Sequence, residues 1–293
     1  MTIDADKLLA WDFPVVELTF TEKDAMLYAL GVGLGADPAD ERELPFVYED
    51  RLAVLPTMSV VLGHPGPWFR DPGTGIDWVQ VLHGEQTLVV HGPLRPNRRL
   101  RCTTRVVDVE DKGEGRGALV RWAREIHDAA TGKLVATLES TLFCRNDGGF
   151  GGAQRPKSAA EKWPTTPPTA SVVRTISPRA ALLYRLSGDL NPIHADPKIA
   201  ADAGFERPIL HGLCTFAIAT WSILRALADD GVQVEDLASV AVRFKAPVLP
   251  GQSLRTDMWR VGERVRFRSH VDDGRMVLDT GEMQFRRGRM IES

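Results

Sequence analysis

Apolar and polar residues alternate along two pairs of neighbouring segments in this chain. Residues 120–127 do so, and after Thr131-Gly132 so do residues 134–143. The same happens at 265–271 and, after Asp273-Gly274, at 276–285. A period of two with a tight glycine turn between the runs predicts antiparallel hairpins, each with one buried face. A different pattern fills 212–228. Leu213, Phe216, Ile218, Trp221, Ile223, Leu224 and Leu227 cover nearly the whole circumference of a helix, which predicts a buried helix rather than a surface one.

Each half of the chain opens with a short helix. Thr21 and Asp24 have capping-box spacing before the apolar residues 25–30. Ser177 is a natural N-cap with Pro178 at the first helical position, ahead of 180–186. Tyr28 and Gly31 then line up with Tyr184 and Gly188, and residues 92–96 line up with 246–251. The order is helix, then strands, occurring twice, which predicts an α+β architecture of two antiparallel sheets, each wrapped around a helix. The first half has no clear long helix; residues 55–62 stand where one would start. Between the halves, 146–171 is rich in Gly, Pro, Ser and Thr and reads as a linker. The expected division is therefore 1–145, linker 146–171, and 172–293.

Composition changes this picture little. With 293 residues, 43% hydrophobic and 26% charged, the chain can bury a substantial core. A net charge of -3 gives no general attraction to polyanions, which argues against nucleic-acid partners. Cys102, Cys144 and Cys214 are odd in number and lack metal-type spacing, as expected of a protein from a reducing compartment. The N-terminus lacks a signal peptide's pattern, residues 289–293 carry no peroxisomal or prenyl signal, and no apolar run approaches the ~20 residues that span a bilayer. A cytoplasmic protein with no membrane partner is the expectation.

The chemistry concentrates in residues 187–197. Gly188 ends one helix and Asn191-Pro192 prevents its continuation, so Asp189, Asn191 and His194 fall in a tight polar loop. Such a loop can gather an acid–base pair around one water molecule. Asp189 and Asn191 also suit plain turn roles, and Asp196 is explained by capping a helix that starts at Pro197 and stops at Gly204. Downstream, His211-Gly212 leads into the buried helix. The Gly212 N–H belongs to the first turn, at the positive end of the helix dipole, where it can polarise a carbonyl oxygen. His194, Asp196 and His211 imitate metal ligands, but with Asp196 needed as a cap no metal is expected. The glycines 31, 33 and 35 lack the flanking residues of a phosphate loop.

The pattern from Tyr184 to Pro197, with the following His211-Gly212-Leu213, resembles the MaoC-like hydratases, and more narrowly the hydratase 2 enzymes. The first half carries the narrower likeness through residues 27–33, 55–57, 81–86 and 107–113. This resemblance covers roughly 21–286 and implies a double hot-dog fold and an (R)-specific enoyl-CoA hydratase, linking enoyl-CoA and (3R)-3-hydroxyacyl-CoA. It makes Asp189 and His194 the catalytic pair, with Asn191 orienting the water or the pair and the Gly212 N–H holding the thioester oxygen. His83, Gly84, Lys112 and Phe244 would bind the substrate or its CoA, with Arg243 and Lys245 as further candidates. His83 read without the resemblance is an ordinary interior histidine. No cofactor is implied, since CoA belongs to the substrate, and a homodimer is. The first half, with no histidine in its equivalent loop, would have lost catalysis and widened the acyl tunnel. A dehydratase acting on carrier-bound acyl groups, a hot-dog thioesterase and a non-enzymatic acyl-binding protein are the competing readings; the intact Asp189, Asn191 and His194 set argues against the last.

Overall fold

The computed structural model of the chain describes residues 2–152 and 162–286. Residues 153–161 of the expected linker and 287–293 of the second half, including the terminal segment 289–293, lie outside the described residues. The helices are α1 (Ala5–Leu9), α2 (Glu22–Val32), α3 (Leu44–Val47), α4 (Ala180–Tyr184), α5 (Pro197–Asp202) and α6 (Gly212–Leu227). The strands are β1 (Val16–Thr19), β2 (Val81–Val90), β3 (Arg99–Asp111), β4 (Ala118–Asp128), β5 (Leu134–Cys144), β6 (Ala170–Thr175), β7 (Leu237–Phe244), β8 (Ser253–Val261), β9 (Arg264–Val271) and β10 (Met276–Phe285). No helix among the described residues is long and apolar enough to cross a membrane.

The ten strands of the described residues form one antiparallel sheet in the order β1-β3-β4-β5-β2-β7-β10-β9-β8-β6. The order reads as the same five-strand unit twice, joined edge to edge where β2 pairs with β7 from Glu85↔Arg243 to Val89↔Ser239. Both predicted hairpins are present, β4–β5 and β9–β10. The first turn is tied by Asp128, whose carboxylate accepts from the Ala130 and Thr131 N–H groups. The second half holds the expected buried helix, α6, packed against β6, β7 and β8. In the first half the same place holds only a short 3-10 turn, Pro56–Val60. The chain then turns away at Gly63, whose φ of 63° no helix continues through.

Several local expectations appear as read. Thr21 and Asp24 form the reciprocal capping box at α2. Asp196 caps α5, accepting from the N–H groups of Lys198 and Ile199. The helix expected over 180–186 is shorter: α4 ends at Tyr184 and tightens into a 3-10 turn, Arg185–Ser187, before Gly188 at φ 129°. Ser177 accepts from Arg179 N–H, closing a turn ahead of the helix rather than capping it directly.

The two repeats also meet through their opening helices. Tyr28 and Tyr184, equivalent in sequence, face each other with ring centroids 5.6 Å apart. A Cβ at Gly31 would stand 3.1 Å from the Tyr184 Cα, so glycine is what lets α2 approach α4 this closely. The first part of the connector is docked. The N–H groups of Gly149 and Gly151 donate to the Asp111 carboxylate, an approach that the small residues permit. Its last two residues, 170 and 171, already belong to β6.

Candidate active site

The loop that carries Asp189, Asn191 and His194 is built by local hydrogen bonds before any distant contact. Asp189 Oδ1 accepts from the Asn191 N–H at 3.1 Å, and Asn191 Oδ1 accepts from the Ile193 N–H at 3.3 Å. Two consecutive Asx turns thus bring His194 back toward the loop's start. Arg185 spans the loop and donates to the Leu190 carbonyl at 3.2 Å. Sequence reading passed over Arg185, although its place just before this loop is what allows it to close it.

His194 is 8% exposed and its Nδ1 lies 2.8 Å from the Ile209 carbonyl. A carbonyl only accepts, so Nδ1 carries the proton and Nε2 of the neutral ring has a free lone pair. Desolvation lowers the His194 pKa below its ordinary 6.5, against the pull of the Ile209 bond and of Asp189. The ring stacks on His211 at a centroid distance of 3.6 Å. His211, 1% exposed, donates from Nε2 to the Asp189 backbone carbonyl at 3.1 Å, and its Nδ1 has no partner. Burial and then the neighbouring His194 push its pKa down to about 4. Tyr184 continues the stack at 5.0 Å from His211. His211 therefore holds Asp189 from its backbone while supporting the His194 ring face to face.

The side chains of Asp189, His194 and His211 each have a donor atom within 4.8 Å of the others. The metal set considered from sequence included Asp196, which the structure commits to capping α5. Asp189 occupies the carboxylate place instead. The atoms of this cluster are the same ones an acid–base pair would use.

Gly212 begins α6 as expected, and His211, the residue before it, makes no side-chain cap. The first-turn N–H groups are thus not taken by a capping side chain. Phe244 lies against this point: a Cβ at position 212 would come within 3.3 Å of its ring. His83 packs on the other side of Phe244, centroids 4.7 Å apart, which brings the first repeat into the site through the β2–β7 junction. Gly84 forms a bulge that keeps both His83 and Gln86 on the inner face of the sheet. Desolvation holds the His83 pKa down at about 4, with Asp189 pulling it upward.

The remaining expected ligand contacts are not gathered here. Arg243 points to the opposite face from Phe244 and pairs with Glu85 of the first repeat at 2.6 Å. Lys112 sits at the far end of β3 with its ammonium 2.9 Å from Glu110, and Lys245 is exposed beyond β7. A cavity of about 200 Å³ adjoins the start of the Asp189–His194 loop, walled by Met58, Val61 and Leu62 from the first repeat and by Leu186 and Ser187 from the second.

Comparison with known proteins agrees with this layout in both halves. Residues 18–146 match the model of the MFE-2 hydratase 2 N-terminal domain, and residues 159–281 match the MaoC like domain. Enoyl-CoA hydratase ChsH3 of Mycobacterium tuberculosis is 39% identical over 270 residues, covering 90% of this chain and 92% of that one. The crystal structure of a MaoC-like dehydratase from Phytophthora capsici superposes with a TM-score of 0.83 at 32% identity, covering 97% of this chain and 99% of that one. A Mycobacterium tuberculosis protein described as having a double hotdog fold superposes at a TM-score of 0.55 and 15% identity over 94% of this chain and 96% of its own, a likeness of fold. With matching models for both repeats and a relative aligned over nearly its full length, the chain belongs to the MaoC-like, hydratase 2 family of double hot-dog proteins.

Proposed function

We propose that this protein hydrates trans-2-enoyl-CoA reversibly to (3R)-3-hydroxyacyl-CoA in fatty acid metabolism. The observation that carries the reading is His194. Its Nε2 lone pair is left free by the Nδ1 bond to Ile209, and it stands with the Asp189 carboxylate beside the uncapped start of α6. In this reading the pair holds one water. Its oxygen attacks C3 as a proton passes to the pair, and charge moves to the thioester oxygen. The Gly212 N–H, at the positive end of the α6 dipole, stabilises that oxygen, and the proton is returned to C2. The net change is addition of H and OH across the double bond. The names of the hydratase relatives support the substrate class.

Two further features belong to this reading. The single 3-10 turn at Pro56–Val60 leaves the inner face of the first half-sheet without a central helix, which favours longer acyl chains. The free cysteines suit a cytoplasmic setting, and a homodimer follows the family resemblance; light scattering on the purified protein would check the latter.

Crotonyl-CoA and a longer homologue test the function directly. Loss of enoyl absorbance without thiol release is the expected result, retained in the presence of a chelator. Thiol release would mark a thioesterase instead. Asp189→Ala and His194→Ala should each lower kcat/KM by about a hundredfold or more with the circular dichroism spectrum unchanged. Full activity in both variants would remove the pair from the mechanism.

A further inference from the structure

Arg124 is a buried cation that the proposed chemistry does not use. It lies on β4 and is 2% exposed. Its Nη2 donates to the carbonyls of Ser59, at 3.2 Å, and Val60, at 2.8 Å. Nε and Nη1 are closed off from solvent with no partner. No carboxylate among the described residues pairs with it. Desolvation lowers its pKa to about 10, so it remains charged at neutral pH. An unpaired, fully buried guanidinium is costly and calls for an explanation.

Its position narrows what that explanation can be. Arg124 stands under the 3-10 turn that replaces the central helix in the first repeat. Its neighbour on the same face, Trp122, has an indole N–H that is also buried without a partner. The guanidinium carbon is 5.8 Å from the Trp122 ring. His64 packs edge-on against the same ring at 5.4 Å, and its Nδ1 accepts from the Gly66 N–H, so its neutral ring offers a further donor at Nε2. The unused groups of Arg124, Trp122 and His64 are all donors.

Strand register places the patch on the same face of the sheet as the candidate site. Trp122 pairs with Ser140, Ser140 with Gln86, and Gln86 with Val242, a row across the inner face that ends two residues from Phe244. Three inter-strand spacings make this row roughly 14 Å long. His64 is itself an exposed residue, yet desolvation and then the charge of Arg124 lower its pKa to about 3, while Asp189 pulls it up.

We propose that Arg124, with Trp122 and His64, anchors a carboxylate carried at the far end of the substrate's acyl chain, so that the enzyme prefers ω-carboxylated enoyl thioesters to plain alkyl ones. This rests on the hydratase reading. A hydrocarbon terminus would leave the guanidinium without a counter-charge, whereas a carboxylate supplies that charge and accepts from one of its free nitrogens.

The test is steady-state hydration of matched pairs of trans-2-enoyl-CoA esters, terminally carboxylated or methyl-ended, over a range of lengths. At the preferred length, kcat/KM should favour the carboxylated ester by about tenfold or more. In Arg124→Met that ratio should fall to near one or below. Trp122→Phe, which removes a single N–H and keeps the ring, should lower it by a smaller factor and serves if Arg124→Met does not fold. Turnover of methyl-ended esters with no preference at any length overturns the proposal alone. No turnover of any ester overturns the hydratase reading and this proposal with it.

Discussion

Gly212 shows how little room the site leaves at a single residue. Its hydrogen is what allows the Phe244 ring to lie against the start of α6, since even one methyl group would come within 3.3 Å of that ring. Gly212→Ala should therefore displace Phe244 by a few tenths of an ångström and disturb the placement of the thioester more than the fold. The expected result is a fall in kcat/KM on the order of tenfold with an almost unchanged melting temperature, measured by crotonyl-CoA hydration and calorimetry. The residues around it differ in how far they can be read from sequence. Asp189, Asn191 and His194 are legible because their turn chemistry and spacing are local. Arg124 and His64 are not. Nothing near them in the chain signals that strand register and a shortened helix bring them onto the inner face.

Among the elements, α6 is held by a contact from the opposite repeat. Glu43, 2% exposed, lies just before α3 and accepts from the Trp221 indole of α6 at 3.1 Å, from Arg174 of β6 at 2.5 Å and from the Gly35 N–H at 2.8 Å. One buried carboxylate therefore satisfies a helix, a strand and a loop. Removing it leaves Arg174 and two N–H groups short of an acceptor. Glu43→Ala should destabilise the protein by about 3 kcal/mol, seen as a lower urea midpoint with the slope unchanged. Sequence periodicity identifies α6 and its burial, but no periodicity reveals that a glutamate in an irregular segment is its anchor.

Across the whole molecule, the histidines at the junction between repeats couple stability to pH. The folded pKa values of His83 and His211 are lowered to about 4, chiefly by desolvation, and His194 moves in the same direction. The unfolded chain takes up protons first as pH falls through the ordinary value near 6.5. Their contribution to stability is thus complete above that pH and is lost on the way down to the folded values. Burial of Glu110 and Asp111 is outweighed by their hydrogen bonds, and their contributions fade only below their ordinary 4.5 and 3.8. Urea midpoints should therefore decline between pH 6.5 and 4.5, and His83→Gln should flatten that decline. A midpoint constant over this range would contradict the burial of these rings.

The sequence by itself determined the repeated plan, the two hairpins, the buried helix, the capped ends and the polar loop that carries Asp189, Asn191 and His194. Each depends on residues within a turn or two of one another, where alternation, capping and turn geometry act directly. The tertiary structure decided what crosses between repeats. The β2–β7 pairing carries His83 to Phe244, turns Arg243 outward to Glu85 and leaves Lys112 at a distant hairpin. It also determined that the connector docks on Asp111 and that Arg124 ends up buried without a counter-ion. These contacts depend on strand register and on the packing of one half-sheet beside another. Pairs of residues far apart in the chain carry no local signal of which face they will share.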